Sequence, residues 1–224
     1  FEGERIKSYR SKINDTDKEF FMKFVPKNLH FGLSHAYHFD VKMNEDIFKN
    51  EIFFSKVEIQ NYEKKFNLPE QFALIHSEAK QSLTSNKNWG INRIQDIVNS
   101  IDQVKWIQVG VHGEHKLKNI HKNYFDLTLR ELGFILSKCK FLVSMEGMFN
   151  HYASAFEKKN FLVHLGFMRK ESIYYPNNVL IHKNSDLKCY PCFLFNCSNH
   201  LELCENKLTS EYAVKIIKNE LKIN

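Results

Sequence analysis

The chain of 224 residues is 43% hydrophobic and 26% charged, enough for one large or two modest domains with a real core. No apolar run reaches membrane-spanning length, and nothing in the sequence points to secretion. The net charge of +6 is modest and its Lys and Arg are scattered among acids, so nucleic acid is not the expected partner. Such a surface suits an anionic substrate or an anionic membrane face.

The chain opens on Phe1 and not on Met, and residues 1–28 are polar without a compact apolar pattern. It reads as a fragment, or as a chain whose beginning is not shown. Residues 6–12 and 17–24 are expected as short helices, the second capped by Asp15 or Thr16. His30, His35 and His38 match no metal-binding spacing and read as packed or solvated side chains. A short strand is expected over 51–56 and a helix over 57–66, closed by Asn67-Leu68-Pro69 because proline cannot continue it.

A regular alternation begins at Phe72. Residues 72–75 read as a strand and 76–88 as a polar loop. Ile91, Ile94, Ile97, Val98 and Ile101 then form one helical stripe. A second strand is expected over 104–109, followed by a loop at Gly110-Val111-His112-Gly113. Thr128 and Glu131 have capping-box spacing and open a helix over 128–137. Phe141-Leu142-Val143 reads as a buried strand running through Ser144-Met145-Glu146-Gly147 into a helix with Phe149, Tyr152, Ala153 and Phe156 on one side. A fourth strand over 161–165, a fifth over 179–181 and a closing helix over 210–221 complete the pattern.

Strands alternating with helices at this pace predict an α/β fold: a Rossmann-like parallel sheet with helices on both faces, over 71–224, preceded by a partial or irregular N-terminal region, 1–70. In such sheets ligands sit beyond the carboxyl ends of the strands, so the loops after 76, 109 and 144 form the candidate site. At the third loop a helix N-terminus suits a phosphate. Glu146 there could accept ligand hydroxyls, and His151 could donate to an oxyanion. The alternative reading makes Glu146 a helix cap and His151 a packed side chain.

With the three loops side by side, residues 72–221 resemble the ADP-heptose:lipopolysaccharide heptosyltransferase family, glycosyltransferases of the two-domain GT-B type. The resemblance rests on Phe72-Ala-Leu-Ile-His followed by Asn86-Lys87-Asn88-Trp89, on Gly110-Val-His-Gly-Glu114, on Thr128-Leu-Arg-Glu-Leu, and on Glu146-Gly147-Met148-Phe149-Asn150-His151. These stand in the family's order and register. The last departs from the family's Asp-[Ser/Thr]-Gly-x-x-His: Glu146 stands for the aspartate, Gly147 for the hydroxyl residue and Met148 for the glycine.

The resemblance implies a nucleotide-sugar donor held by Lys87 at the diphosphate, Glu114 at the ribose, and Glu146, Gly147 and His151 at the third loop. It implies inverting transfer of heptose or a similar sugar to a bacterial surface glycan or glycolipid, lipooligosaccharide or capsule, with no required cofactor. It also implies work in the cytoplasm, with peripheral contact at the inner membrane. The family's catalytic base comes from the other Rossmann domain, so the sequence names none here. Competing readings are a non-catalytic nucleotide- or glycan-binding module and a small cysteine-stapled interaction domain. Cys189, Cys192, Cys197 and Cys204 are compatible with structural zinc, reduced thiols or disulfides alike, and Cys139 reads as core packing.

Overall fold

The structure is a computed structural model that describes His30, Leu33, residues 50–79, 85–194, Cys197 and 203–223. The helices expected over 6–12 and 17–24, together with His35 and His38, lie outside the described residues. The elements are α1 (Lys56–Lys65), β1 (Ala73–Ile75), a 3-10 turn (Ser85–Lys87), α2 (Ile91–Ser100), β2 (Trp106–Gly110), β3 (Lys122–Phe125) and α3 (Leu129–Lys138). Then follow β4 (Phe141–Met145), α4 (Met148–Ala155), β5 (Lys159–Val163), α5 (Lys170–Ile173), β6 (Asn178–Ile181), α6 (Leu203–Lys207) and α7 (Ser210–Leu221).

The six strands form one sheet in the order β3-β2-β1-β4-β5-β6, and every pairing is parallel. This is the doubly wound order of a Rossmann sheet. The chain winds outward from β1 through β2 to β3, crosses back, and winds outward from β4 to β6. The strand order therefore reverses between β1 and β4. There the two connections leave in opposite directions and open a crevice at the carboxyl edge.

Alternation of side chains sorts the core into two layers. Ala73, Ile75, Trp106, Val143 and Val163 point to one face, where α2 supplies Ile94, Ile97 and Val98 and α7 supplies Ala213 and Ile217. Phe72, Leu74, Ile107, Val109 and Leu142 point to the other, covered by Leu132, Ile135 and Leu136 of α3 and by Phe149 and Ala153 of α4. Phe54, Ile59, Tyr62 and Phe66, on and beside α1, pack against this second layer. With both faces buried, β1, β2 and β4 carry near-continuous apolar runs, as a parallel sheet requires.

The expected α/β sheet is present, with three local differences. Residues 51–55 form no strand; Ser55 and Glu58 make a reciprocal capping box that starts α1 at Lys56 instead. The edge strand β3 was not expected, because Lys-Asn-Tyr-Phe is half exposed and alternates weakly. β5 begins two residues earlier than expected. Its Asn160 is fully buried, accepting from Ser144 Oγ at 2.9 Å and donating to Asn150 Oδ1 at 3.1 Å. The Thr128–Glu131 capping box and the 210–221 helix stand where the sequence places them.

That asparagine belongs to a buried network that fixes α4 against the second half of the sheet. Asn150 Oδ1 also accepts from Asn178 Nδ2 at 2.8 Å, and its Nδ2 donates to the Ile173 carbonyl at 2.7 Å. Asn178 Oδ1 in turn accepts from the Tyr175 backbone N–H at 2.8 Å. Truncating Asn150 would orphan the Asn160 and Asn178 amides. Each unsatisfied buried donor costs about 1–3 kcal/mol. Asn150→Ala should therefore lower the unfolding free energy by about 2 kcal/mol or more in urea titrations, and a loss under about 0.5 kcal/mol would show that the network carries little.

Candidate functional site

Lys87, Glu146, Gly147 and His151 all stand at the β1/β4 reversal. Lys87 ends the 3-10 turn that follows β1, and that turn is held on every side. Asn86 Nδ2 donates to the Leu194 carbonyl at 2.6 Å, and Asn88 Oδ1 accepts from the Ala79 N–H at 2.5 Å. Fully buried Trp89 donates from Nε1 to the Leu208 carbonyl at 2.7 Å. The tryptophan is therefore a core anchor, and the lysine beside it is the group presented to the crevice. Its ammonium sits 4.5 Å over the Phe167 ring.

Glu146 follows β4 directly and does not cap α4; Gly147 occupies that position and supplies no side-chain hydrogen bond. Among the described residues nothing lies within 4 Å of where a Cβ at Gly147 would project. The Glu146 carboxylate turns inward instead. Its Oε1 lies 2.9 Å from Lys87 Nζ, an ion pair outside the geometry of an aligned hydrogen bond, and its Oε2 lies 3.2 Å from His164 Nδ1. The side chain of Glu146 is 4% exposed and that of Lys87 15%, so the acid is enclosed while the base reaches solvent. Burial pushes the carboxyl up, but the Lys87 charge and the His164 contact outweigh it and hold the group well below the usual carboxylate range.

His151, in the first turn of α4, meets the Tyr175 hydroxyl at 2.7 Å through Nδ1. The same hydroxyl lies 3.0 Å from Asn50 Nδ2. Burial, followed by the nearby Lys87 charge, lowers the His151 pKa. Asn50 Nδ2 also reaches the His151 carbonyl at 3.1 Å and Ser154 Oγ at 2.7 Å. Buried His30 packs its ring 4.5 Å from Tyr175, and its pKa is lowered to about 4 by burial and then by His151.

Glu114 stands apart from this group, beyond the end of β2. Gly110 makes room for it: a Cβ there would meet Glu114 Oε2 at 2.1 Å. Burial, with Glu78 and Asp126 nearby, pushes its carboxyl up to about 7 against the opposing Val111 backbone contact. Glu78 is held by His115, whose N–H donates to Oε1 at 2.9 Å and whose Nδ1 lies 2.6 Å from it. The structure thus gathers Lys87, Glu146, Gly147 and His151 at one place and leaves Glu114 in an acidic group at the β2 end.

Sequence reasoning missed His164, Tyr175, Asn50 and Phe167. A signal existed for one of them: a lone histidine inside Phe161-Leu-Val-His-Leu-Gly166, at the end of a buried strand. None of the five cysteines is in a disulfide. Cys189, Cys192, Cys197 and Cys204 border one cavity of about 60 Å³ beside Asn86, Leu165 and Gly166. Among the described residues no group of three or more His, Cys, Asp or Glu is placed to hold a metal ion. Cys139 is core packing, its thiol pushed up to about 12 by burial. No helix among the described residues is long and apolar enough to cross a membrane.

No protein-family model matches the sequence, and a search of curated proteins returns no match. Solved structures do match in fold. E. coli ADP-heptose LPS heptosyltransferase II superposes with a TM-score of 0.60 at 12% identity over 79% of this chain and 55% of that one. The iron-containing dodecameric heptosyltransferase TibC, in complex with ADP-D-β-D-heptose, gives 0.62 at 15% identity over 87% of this chain and 53% of that one. A family 9 glycosyltransferase from Veillonella parvula gives 0.60 at 11% identity over 86% and 60%. At these identities the likeness is one of fold, and the chain spans little more than half the length of these structures.

The Glu114 cluster makes a pH prediction. A carboxyl whose folded pKa lies above its unfolded value stabilises the fold below the unfolded value and loses that contribution as pH rises through the folded one. The wild-type chain should therefore lose stability from about pH 4.5 through about 7, as Glu114 ionises beside Glu78 and Asp126. Glu114→Gln should remove that part of the slope, an effect on the order of 1 kcal/mol after solvent screening. Identical melting-temperature profiles across pH 5–8 for both proteins would contradict the assignment.

Proposed function

We propose that this chain binds a nucleoside-diphosphate sugar in the crevice between β1 and β4 and forms the donor half of a glycosyltransferase. The observation that carries the reading is the convergence of Lys87, Glu146 and His151 at the one point where the strand order reverses. Lys87 supplies the positive charge that a departing diphosphate needs. The His151 ring, whose pKa is lowered, and the start of α4, which has no side-chain cap, offer neutral donors beside it. Glu146 accepts hydroxyls of the donor sugar, and Glu114 those of the nucleoside ribose, as the family resemblance implies.

The names of the fold neighbours support a heptose or a similar sugar on the donor. We take the reaction to be inverting transfer to a bacterial surface glycan or glycolipid, with peripheral work at the cytoplasmic face of the inner membrane. Deprotonation of the acceptor hydroxyl falls to a group outside residues 71–224.

A ligand at a hundred times its dissociation constant adds about 2.7 kcal/mol of stability. At least one of ADP, UDP and GDP, or their sugars, should therefore raise the melting temperature at millimolar concentration. Lys87→Ala alone would strand buried Glu146, so the informative pair is Lys87→Met/Glu146→Gln against Glu146→Gln. Loss of the lysine should weaken the diphosphate by about 1.5–3 kcal/mol and leave the bare nucleoside nearly unchanged. Equal losses for both ligands would place Lys87 away from the phosphates.

A further inference from the structure

His151 is gripped at both ends by one side chain from ahead of the sheet. Asn50 precedes α1 and stands 101 residues before His151 in the chain. Its Nδ2 donates to the His151 carbonyl at 3.1 Å and to Ser154 Oγ at 2.7 Å, and lies 3.0 Å from the Tyr175 hydroxyl. A carbonyl only accepts, so the nitrogen of the Asn50 amide, and not its oxygen, faces α4. The Tyr175 hydroxyl in turn meets His151 Nδ1 at 2.7 Å. One amide thus touches the histidine backbone directly and the histidine ring through the tyrosine.

Each group along the way is itself fixed. Tyr175 and Ser154 are buried. The Tyr175 backbone N–H donates to Asn178 Oδ1 at 2.8 Å, and its ring packs on that of His30 with centres 4.5 Å apart. Ser154 Oγ donates to the His151 carbonyl at 2.7 Å. Beyond Asn50 the chain stays on α4. The Phe54 ring stacks on that of Phe156, just past the end of the helix, with centres 5.9 Å apart and planes 7° apart. Arg130 Nη2 donates to the Phe53 carbonyl at 2.8 Å.

Residues 50–54 therefore run along α4 from its first turn to its end, and Phe54 and Arg130 anchor them without help from the Asn50 amide. What that amide adds is the placing of His151. An imidazole on a helix can turn about two side-chain bonds, and a hydrogen bond at Nδ1 removes that freedom. A bond to the His151 carbonyl holds the turn of helix that carries the ring. The effect is the same whichever way the Tyr175–His151 hydrogen bond runs.

We propose that Asn50 is a positioning residue for His151, and that the stretch ahead of α1 is thereby a working part of the donor site. This rests on the donor-site reading above and deepens it. The diphosphate of a sugar nucleotide meets an imidazole already held in place by residues 50 and 175, so binding does not have to order the ring.

The test is a double-mutant cycle read by calorimetric titration with ADP-glucose and with UDP-glucose, on wild type, Asn50→Ala, His151→Ala and the double variant. Wild type should bind at least one of the two. Asn50→Ala should weaken that ligand by about threefold to tenfold, as expected for a lost hydrogen bond. His151→Ala should weaken it as well. The double variant should bind no more weakly than His151→Ala, because Asn50 acts through the histidine, whereas general damage to the fold would add in both backgrounds. Should Asn50→Ala fail to fold, Tyr175→Phe takes its place in the cycle, since it deletes the hydroxyl and keeps the ring on His30.

Losses that add in the double variant, or an Asn50→Ala affinity equal to wild type, overturn the role given to Asn50 and leave the donor site standing. An unchanged affinity in His151→Ala removes His151 from the donor site and overturns this inference with it. No binding of either sugar nucleotide by wild type overturns the donor reading itself, and this inference falls too.

Discussion

The enclosed carboxylate of Glu146, shared between Lys87 and His164, is the constraint on which the site depends. An ionised acid at this depth is tolerated only while charge and hydrogen bonds surround it. Meeting that condition draws together residues 87, 146 and 164, which belong to three different loops. The negative charge of the same acid pulls the His151 pKa up, opposing burial and the Lys87 charge, which together outweigh it.

The scaffold explains why these groups can meet so closely. Parallel strands with helices on both faces leave their carboxyl ends free, and reversal of the winding between β1 and β4 spreads the loops there apart. Each loop is then fixed by contacts that have no chemical task of their own. Trp89 and its two asparagine neighbours pin the Lys87 turn, and the Asn150–Asn160–Asn178 network sets α4 and Tyr175. Gly110 and Gly166 allow close approach at β2 and β5. A site held this way is arranged before any ligand arrives, which lowers the ordering cost of binding.

Much of this fold was legible from periodicity, because burial on both faces leaves continuous apolar strands and amphipathic helices between them. The Thr128 and Glu131 pair placed one helix start correctly for a physical reason, since each side chain satisfies the other's backbone N–H. β3 escaped because an edge strand needs only one apolar side, and Lys-Asn-Tyr-Phe carries too little pattern to register. The early start of β5 escaped because a buried asparagine looks like a loop residue until its partners are known. Glu146 and His151 could be singled out from their place after a buried strand, whereas Lys87 came only from the family resemblance. That Glu146 turns inward to a histidine 18 residues on is a through-space fact that no local spacing encodes. The same holds for Asn50, whose partners lie about a hundred residues away in sequence.

The central claim is that Lys87 serves a ligand diphosphate at the β1/β4 crevice while Glu146 remains in the same site. A crystal structure of the chain with a bound sugar nucleotide addresses it most directly. The account predicts Lys87 Nζ within about 3 Å of a phosphate oxygen, the ordinary length of a charge-assisted hydrogen bond, with Glu146 still against His164 and facing the sugar. A sugar nucleotide bound elsewhere, for instance in the cysteine-lined cavity, with the Lys87–Glu146 pair undisturbed at 2.9 Å, would contradict it.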